Sequence, residues 1–220
     1  MKFTESQLEQ AFISLLEAQG YPHVKGEDIV RGKEEVLIRE DLQAFLQQRY
    51  AAQKISPVEI LRIIRELEKL PASDLYESNK TIMNWVRDGF LLKRENHKDK
   101  DIFISLIDYE HPETNLFKIV NQLEIQGFES LRIPDGILYI NGLPLVVFEF
   151  KSSIREEVRI HEAYRQLTVR YRYPSDQPRL GWCDFIWDGI LPSLKAEADT
   201  DLFAYGTGFF RTRPLTNRTR

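Results

Sequence analysis

The sequence holds one cysteine, Cys183, in 220 residues, so no internal disulfide can staple the fold. A hydrophobic core must carry the stability instead, and a reducing, cytoplasmic setting is expected. Long apolar runs are also missing. None approaches the roughly 20 residues that span a bilayer, and Met1-Lys2-Phe3-Thr4-Glu5 lacks the basic-then-apolar order of a signal peptide. No membrane is expected among the partners. Positive charge is in short supply: a net charge of −4 leaves no overall basic footprint. That argues against tight autonomous binding to nucleic acid, though not against a module that partner chains bring to it. The basic stretch from Arg211 to Arg220 reads as a solvated tail. No GxxxxGK[ST] phosphate loop occurs, which excludes a P-loop motor within this chain. His23, His97, His111 and His161 are scattered without metal-ligand spacing and read as solvated or structural.

What is present is enough apolar residue, 42%, for one large domain or two small ones. The first half carries helical periodicity. Thr4 and Gln7 form a capping box ahead of Leu8, Phe12, Leu15 and Leu16, with a stop at Gly20. Leu42, Phe45, Leu46 and Tyr50 make the stripe of a helix over about 39–53. Ser56-Pro57-Val58-Glu59 starts another that carries Ile60, Ile63, Ile64 and Leu67 and ends before Pro71. Asn79 caps a short helix ended by Gly89. From about residue 101 the period changes. Residues 103–107 read as a strand that stops at Glu110-His111-Pro112, with Asp108 and Glu110 in turn roles. Residues 117–125 fit either helix or strand. Residues 133–140 and 143–150 flank Asn141-Gly142, a hairpin signal, and their near-continuous apolar residues predict cover on both faces. Residues 155–171 read as a helix bearing Arg155, Arg159, Arg165 and Arg170, and 182–189 as a further strand. The expected fold class is mixed α/β. A helical half over 1–100 packs on a core over 101–175, and 176–220 supplies a last strand and a tail.

The chemistry lies at one end of the hairpin. Glu149-x-Lys151 finishes the most apolar strand, and residues i and i+2 share a face. Burial of Val146, Val147 and Phe148 gives no packing reason to end on a carboxylate and an ammonium. Asp135 lies at the same end of the partner strand. Two carboxylates and a lysine are the groups that metal-assisted phosphodiester hydrolysis needs. The carboxylates hold a hard divalent ion, with the Phe150 backbone carbonyl as a third candidate ligand, and the lysine orients water or stabilises charge. Register sets a condition. An unbroken hairpin on a two-residue turn faces Asp135 away from Glu149. A three-residue loop, Ile140-Asn141-Gly142, or a bulge near Pro134 brings the three to one face. Spacing alone leaves a second reading open, in which Glu149 and Lys151 form a strand-end ion pair and Asp135 caps a turn.

A longer set of residues narrows the choice. Leu106-Ile107-Asp108, Asn121-Gln122, Pro134-Asp135, Asn141-Gly142-Leu143-Pro144-Leu145-Val146-Val147 and Glu149-Phe150-Lys151 resemble the N-terminal endonuclease domain of type I restriction-modification R subunits, a PD-(D/E)xK nuclease. The resemblance covers about residues 4–172. It implies a restriction-endonuclease-like central mixed sheet flanked by helices, with 117–125 as a strand. It implies Asp135 and Glu149 as Mg²⁺ ligands, Mn²⁺ substituting, and Lys151 as the catalytic lysine. Glu9 matches the upstream glutamate of many such nucleases. Gln166 matches the glutamine of the following helix, although Tyr171 falls one residue off the family's spacing. The implied partners are double-stranded DNA and the methyltransferase and specificity subunits of the restriction complex. ATP would enter only through motor domains, which this chain lacks.

Two other readings compete with the enzyme. One is a non-cleaving nuclease-like module that docks DNA or the methyltransferase core. The other is an interaction domain built on the helices at 39–53 and 57–70.

Overall fold

The computed structural model describes residues 4–70, 75–96, 98–126, 131–150 and 202–206. In chain order the elements are α1 (Glu5–Ala18), β1 (His23–Lys25), α2 (Arg39–Arg49), α3 (Pro57–Glu68), α4 (Leu75–Asp88), β2 (Phe90–Leu92) and β3 (Ile102–Ile104). There follow β4 (Phe117–Asn121), β5 (Ile125–Gln126), β6 (Leu131–Arg132), β7 (Gly136–Ile140), β8 (Leu143–Phe150) and β9 (Leu202–Gly206). The main sheet runs β1-β4-β7-β8-β9, and β2–β3 and β5–β6 form two small ribbons. β1 is parallel to β4 and the remaining pairs are antiparallel. This is the mixed α/β, restriction-endonuclease-like arrangement expected from the sequence.

The helices follow from local chemistry. Both capping boxes form: Thr4 and Gln7 close the start of α1, and Ser56 and Glu59 close that of α3, with Pro57 in its first turn. Ile60, Ile63, Ile64 and Leu67 are all buried, as the 3.6-residue period requires. Leu15 departs from expectation. It is exposed, because the face of α1 that meets the sheet is that of Leu8, Phe12 and Leu16. α2 ends at Arg49 rather than near 53, because residues 51–54 turn back and Lys54 takes a positive φ. Asn79 caps nothing. The fourth helix begins at Leu75, one turn earlier, and Asn79 is buried within it on the same side as Ile82 and Val86. The strand expected over 103–107 stops at Ile104, and Leu106 and Ile107 are buried as loop residues.

Every residue of β7 and β8 is buried. On one side Ile137, Tyr139, Leu143, Leu145 and Val147 join the residues of α2, α3 and α4 in the larger core. On the other, Ile119, Leu138, Val146, Phe148 and Phe150 meet Leu8, Phe12 and Leu16 of α1 and Tyr21. The Phe12 ring lies 4.5 Å from Phe148 and 5.4 Å from Phe150. Both faces are covered, so continuous apolar runs were required here.

The hairpin between β7 and β8 is fixed at its turn. Asn141 (φ 52°) and Gly142 (φ 76°) both lie in the left-handed region, which makes a two-residue type I′ turn. The three-residue loop expected from sequence does not form. The turn is seated under the start of α2: Ile38 N–H donates to the Gly142 carbonyl at 3.0 Å. A Cβ on Gly142 would stand 2.2 Å from the Ile38 carbonyl oxygen and 2.9 Å from Leu42 N, so no side chain fits. Asn141 is fully buried. Its Oδ1 accepts from Leu116 N–H, and its Nδ2 donates to the Leu106 carbonyl and to Asn115 Oδ1. Asn115 in turn caps Asp108 N–H, and the Asp108 carboxylate accepts from Glu110 N–H and His111 N–H and pairs with Arg49. Asp108 has the turn role expected of it.

Gly142→Ala should therefore destabilise the chain by about 3 kcal/mol or more, through strain at φ 76° together with overpacking against backbone. Gly20→Ala, at φ 89° with open space around it, should cost only about 1 kcal/mol. Denaturant unfolding of both variants checks the difference.

A pH prediction follows from α3. Burial pushes the Glu59 carboxyl up, but the Ser56 and Glu95 N–H groups and the Arg94 guanidinium outweigh it and hold the group below its usual range. A depressed carboxylate stabilises fully above its unfolded pKa of about 4.3 and loses that contribution as pH falls through the folded value. Thermal melts from pH 7 to 3 should show Glu59→Gln less stable at pH 7, with the gap to wild type narrowing below about pH 4.

Candidate active site

The end of the sheet opposite the Asn141-Gly142 turn gathers the polar residues singled out by sequence. Near the turn Ile140 pairs with Leu143 and Tyr139 with Pro144. The next pair is Leu138 with Val146, so Leu145 is a one-residue bulge. Pairing continues through Ile137 with Val147 and Gly136 with Phe148. Extended one step past the end of β7, this register brings the Asp135 position opposite Glu149. A register shift is therefore present, but at Leu145 rather than in a three-residue loop or near Pro134.

The Asp135 carboxylate reaches the end of β8. Its Oδ2 accepts a 2.6 Å hydrogen bond from Phe150 N–H, which closes the ladder where β7 has already ended. Glu149 follows Val147 by two residues and so shares its side, that of the larger core, and is 2% exposed. Asp135 is half-buried. A carboxylate placed in apolar surroundings is stable only with compensating charge or hydrogen bonds. The donors available at this end are hard oxygens, which fit a divalent ion such as Mg²⁺ better than a soft metal. Lys151 and Gln166 lie outside the described residues, as do the predicted helix over 155–171, its arginines, and the strand over 182–189.

Glu9 reaches the same end of the sheet from α1. Its carboxylate accepts from Asn121 Nδ2 at 2.8 Å and from Gln122 Nε2 at 3.2 and 3.4 Å. Asn121 ends β4 one step beyond the Val120–Ile137 pair, beside Gly136. Its Oδ1 meets His23 Nε2 at 2.8 Å. Among the described residues, no three Asp, Glu, His or Cys side chains cluster closely enough to hold one metal jointly, so Glu9 is not a third direct partner of Asp135 and Glu149. Sequence reasoning missed His23 and Asn121 as members of this cluster. Their contact links residues 98 positions apart. Only the Asn121-Gln122 pair within the family resemblance hinted at it.

A cleft of about 560 Å³ opens beside Gln122 and Ile133, with Lys25, Arg31 and Lys33 along it. Lys25 pairs with Glu27 at 3.6 Å and Lys33 with Glu124 at 2.5 Å, both largely exposed. Exposed pairs of this kind contribute little, so these lysines are cheaply released to another anion. Among the described residues no helix is long and apolar enough to cross a membrane.

The sequence is similar to a known family and to several known proteins. A family described as the type I restriction enzyme R protein N terminus matches residues 2–183. The type I restriction enzyme HindI endonuclease subunit of Haemophilus influenzae is 34% identical over 173 residues, 74% of this chain and 16% of its own length. The putative type I restriction enzyme MjaIXP endonuclease subunit of Methanocaldococcus jannaschii is 30% identical over 229 aligned positions, 89% of this chain and 21% of its own. The SsaAORF53P endonuclease subunit of Staphylococcus saprophyticus is 29% identical over 171 residues, 77% of this chain. The chain thus spans about a fifth or less of the length of these relatives. With a family match that spans residues 2–183, the chain belongs to the type I restriction enzyme R protein N-terminal family.

Proposed function

We propose that this chain is the DNA-cleaving module of a type I restriction enzyme and hydrolyses phosphodiester bonds with Mg²⁺ at the Asp135–Glu149 end of the sheet. The observation that supports this most is the register: the Leu145 bulge sets Asp135 across from Glu149, with its carboxylate bonded to Phe150 N–H at 2.6 Å. Asp135, Glu149 and the Phe150 carbonyl would hold the ion, with Mn²⁺ able to substitute. Bound there, the metal neutralises charge on the phosphate and acidifies water. Asp135 is oriented by the Phe150 amide, so it meets a cation without first giving up freedom of rotation. Lys151, two residues beyond Glu149, would steady the attacking water or the developing negative charge. The Lys25 and Lys33 side of the neighbouring cleft offers the DNA backbone a cationic edge. Double-stranded DNA, and the methyltransferase and specificity subunits that would direct it, are the partners this reading requires. Any ATP-driven step belongs to other domains.

One observation favours a second reading. Glu149 is 2% exposed, and a closed strand end suits a nuclease-like module that docks DNA or the methyltransferase core without cutting.

Calorimetry with Mg²⁺ or Mn²⁺ separates the two. Saturable binding that is lost in both Asp135→Ala and Glu149→Ala is expected for the nuclease. Lys151→Ala should keep metal binding while nicking of plasmid DNA falls by about 100-fold or more. Absent binding, or binding indifferent to both carboxylates, would leave the docking module as the better account.

A further inference from the structure

We propose that Asn121 and Gln122 are positioning residues that hold the Glu9 carboxylate, with its charge uncancelled, at the Asp135 end of the sheet, where it strengthens the site's attraction for a divalent cation. The inference rests on the reading of Asp135 and Glu149 as metal ligands.

The first argument is the choice of partners. Other carboxylates that bridge distant elements are met by cations: Asp41 by Lys118 at 2.5 Å, Glu59 by Arg94 at 2.7 Å, and Asp108 by Arg49. Glu9 also ties a helix to a strand, yet among the described residues it meets amides only. A cation would cancel its charge, whereas an amide orients it and leaves the charge available. A tether whose only task was to dock α1 would gain from a lysine or arginine.

The second argument is how firmly the clamp is held. A carboxylate only accepts, so the end of Asn121 facing Glu9 is its NH₂. Oδ1 therefore faces His23, and His23 Nε2 carries the proton of that 2.8 Å bond. Asn121 is buried and fixed from both sides by β1 and α1. Gln122 takes φ 51°, a left-handed conformation costly for a side-chain-bearing residue, and in it reaches both Glu9 oxygens. Strain of this kind persists where the surroundings over-determine it.

The third argument is place. Asn121 sits beside Gly136 in the sheet, one residue from Asp135. α1 approaches from the face of Phe148 and Phe150, whereas Glu149 lies on the side of Val147. Glu9 thus acts from across the strand end and not as a direct ligand, consistent with the absence of a three-residue cluster among the described residues. Hard divalent ions such as Mg²⁺ retain several waters, and an outlying carboxylate can accept from those.

The test is a double-mutant cycle on Mn²⁺ affinity, measured by calorimetry on the 220-residue chain, with Asp135→Ala as the reference for the site. Glu9→Gln should weaken binding about tenfold, the lower end of what groups supporting a metal site contribute. Asn121→Ala should weaken it comparably when Glu9 is present and no further in the Glu9→Gln background. Gln122→Asn tolerates the left-handed backbone but withdraws its amide, and it guards against misfolding of the Asn121 variant by weakening Mn²⁺ binding on its own. A merely structural Asn121 would lower the melting temperature and reduce affinity by the same factor in both backgrounds, which overturns the proposal. Unchanged affinity in all these variants, with binding still lost in Asp135→Ala, overturns the clamp alone. No saturable Mn²⁺ binding by wild type overturns the clamp and the nuclease reading together.

Discussion

The seating of the Asn141-Gly142 turn beneath α2 governs the rest of the molecule. A hairpin is a lever whose far end is set by its turn and by any residue left over along the way. Here the turn cannot shift. Gly142 has no room for a side chain against Ile38 and Leu42, and Asn141 is bonded on every polar edge to Leu106, Asn115 and Leu116. With the turn pinned, the extra residue Leu145 alone decides which side chains face one another six residues away. It places the Asp135 position opposite Glu149, where an unbroken ladder would have put Phe148. The residues that make this sequence recognisable and the residues that would do its chemistry are at opposite ends of the same hairpin.

Charge is handled differently at those two ends. Around the turn, every buried polar group described is spent on structure: Asp108 neutralises Arg49 and caps its own loop, and Asn115 joins that loop to Asn141. At the other end, the Asp135 carboxylate meets a backbone amide and Glu9 meets two side-chain amides. For Glu9, neutral donors fix direction without cancelling its charge. A carboxylate held in this manner at a sheet end attracts cations, as the proposed metal site would use.

Much of this was legible in the sequence. Capping boxes at Thr4 and Ser56 involve contacts three residues apart, and local pattern reads them well. Apolar stretches over β7 and β8 announced strands covered on both faces. Asn-Gly announced the turn. The hairpin does carry an odd residue, but pattern could not tell which one, because Leu145 is as apolar and as buried as its neighbours. Asn79 and the residues around Leu106 also departed from local pattern: the helix starts a turn before Asn79, and Leu106 and Ile107 are buried without joining a strand. β1, with three residues, had no signal of its own, and its role emerges only through pairing with β4 far along the chain. The contact of His23 with Asn121 was invisible on that account, and β9 offered no pattern to read.

The central claim is that one bulge brings Asp135 and Glu149 into a single cation site on two strands. It is tested most directly by mapping Mn²⁺-induced paramagnetic broadening of backbone amides by nuclear magnetic resonance. The account predicts that the amides of Asp135, Gly136, Glu149 and Phe150 broaden together at low Mn²⁺, while those around Asn141 stay sharp. Broadening confined to one strand, or centred elsewhere on the surface, would contradict it.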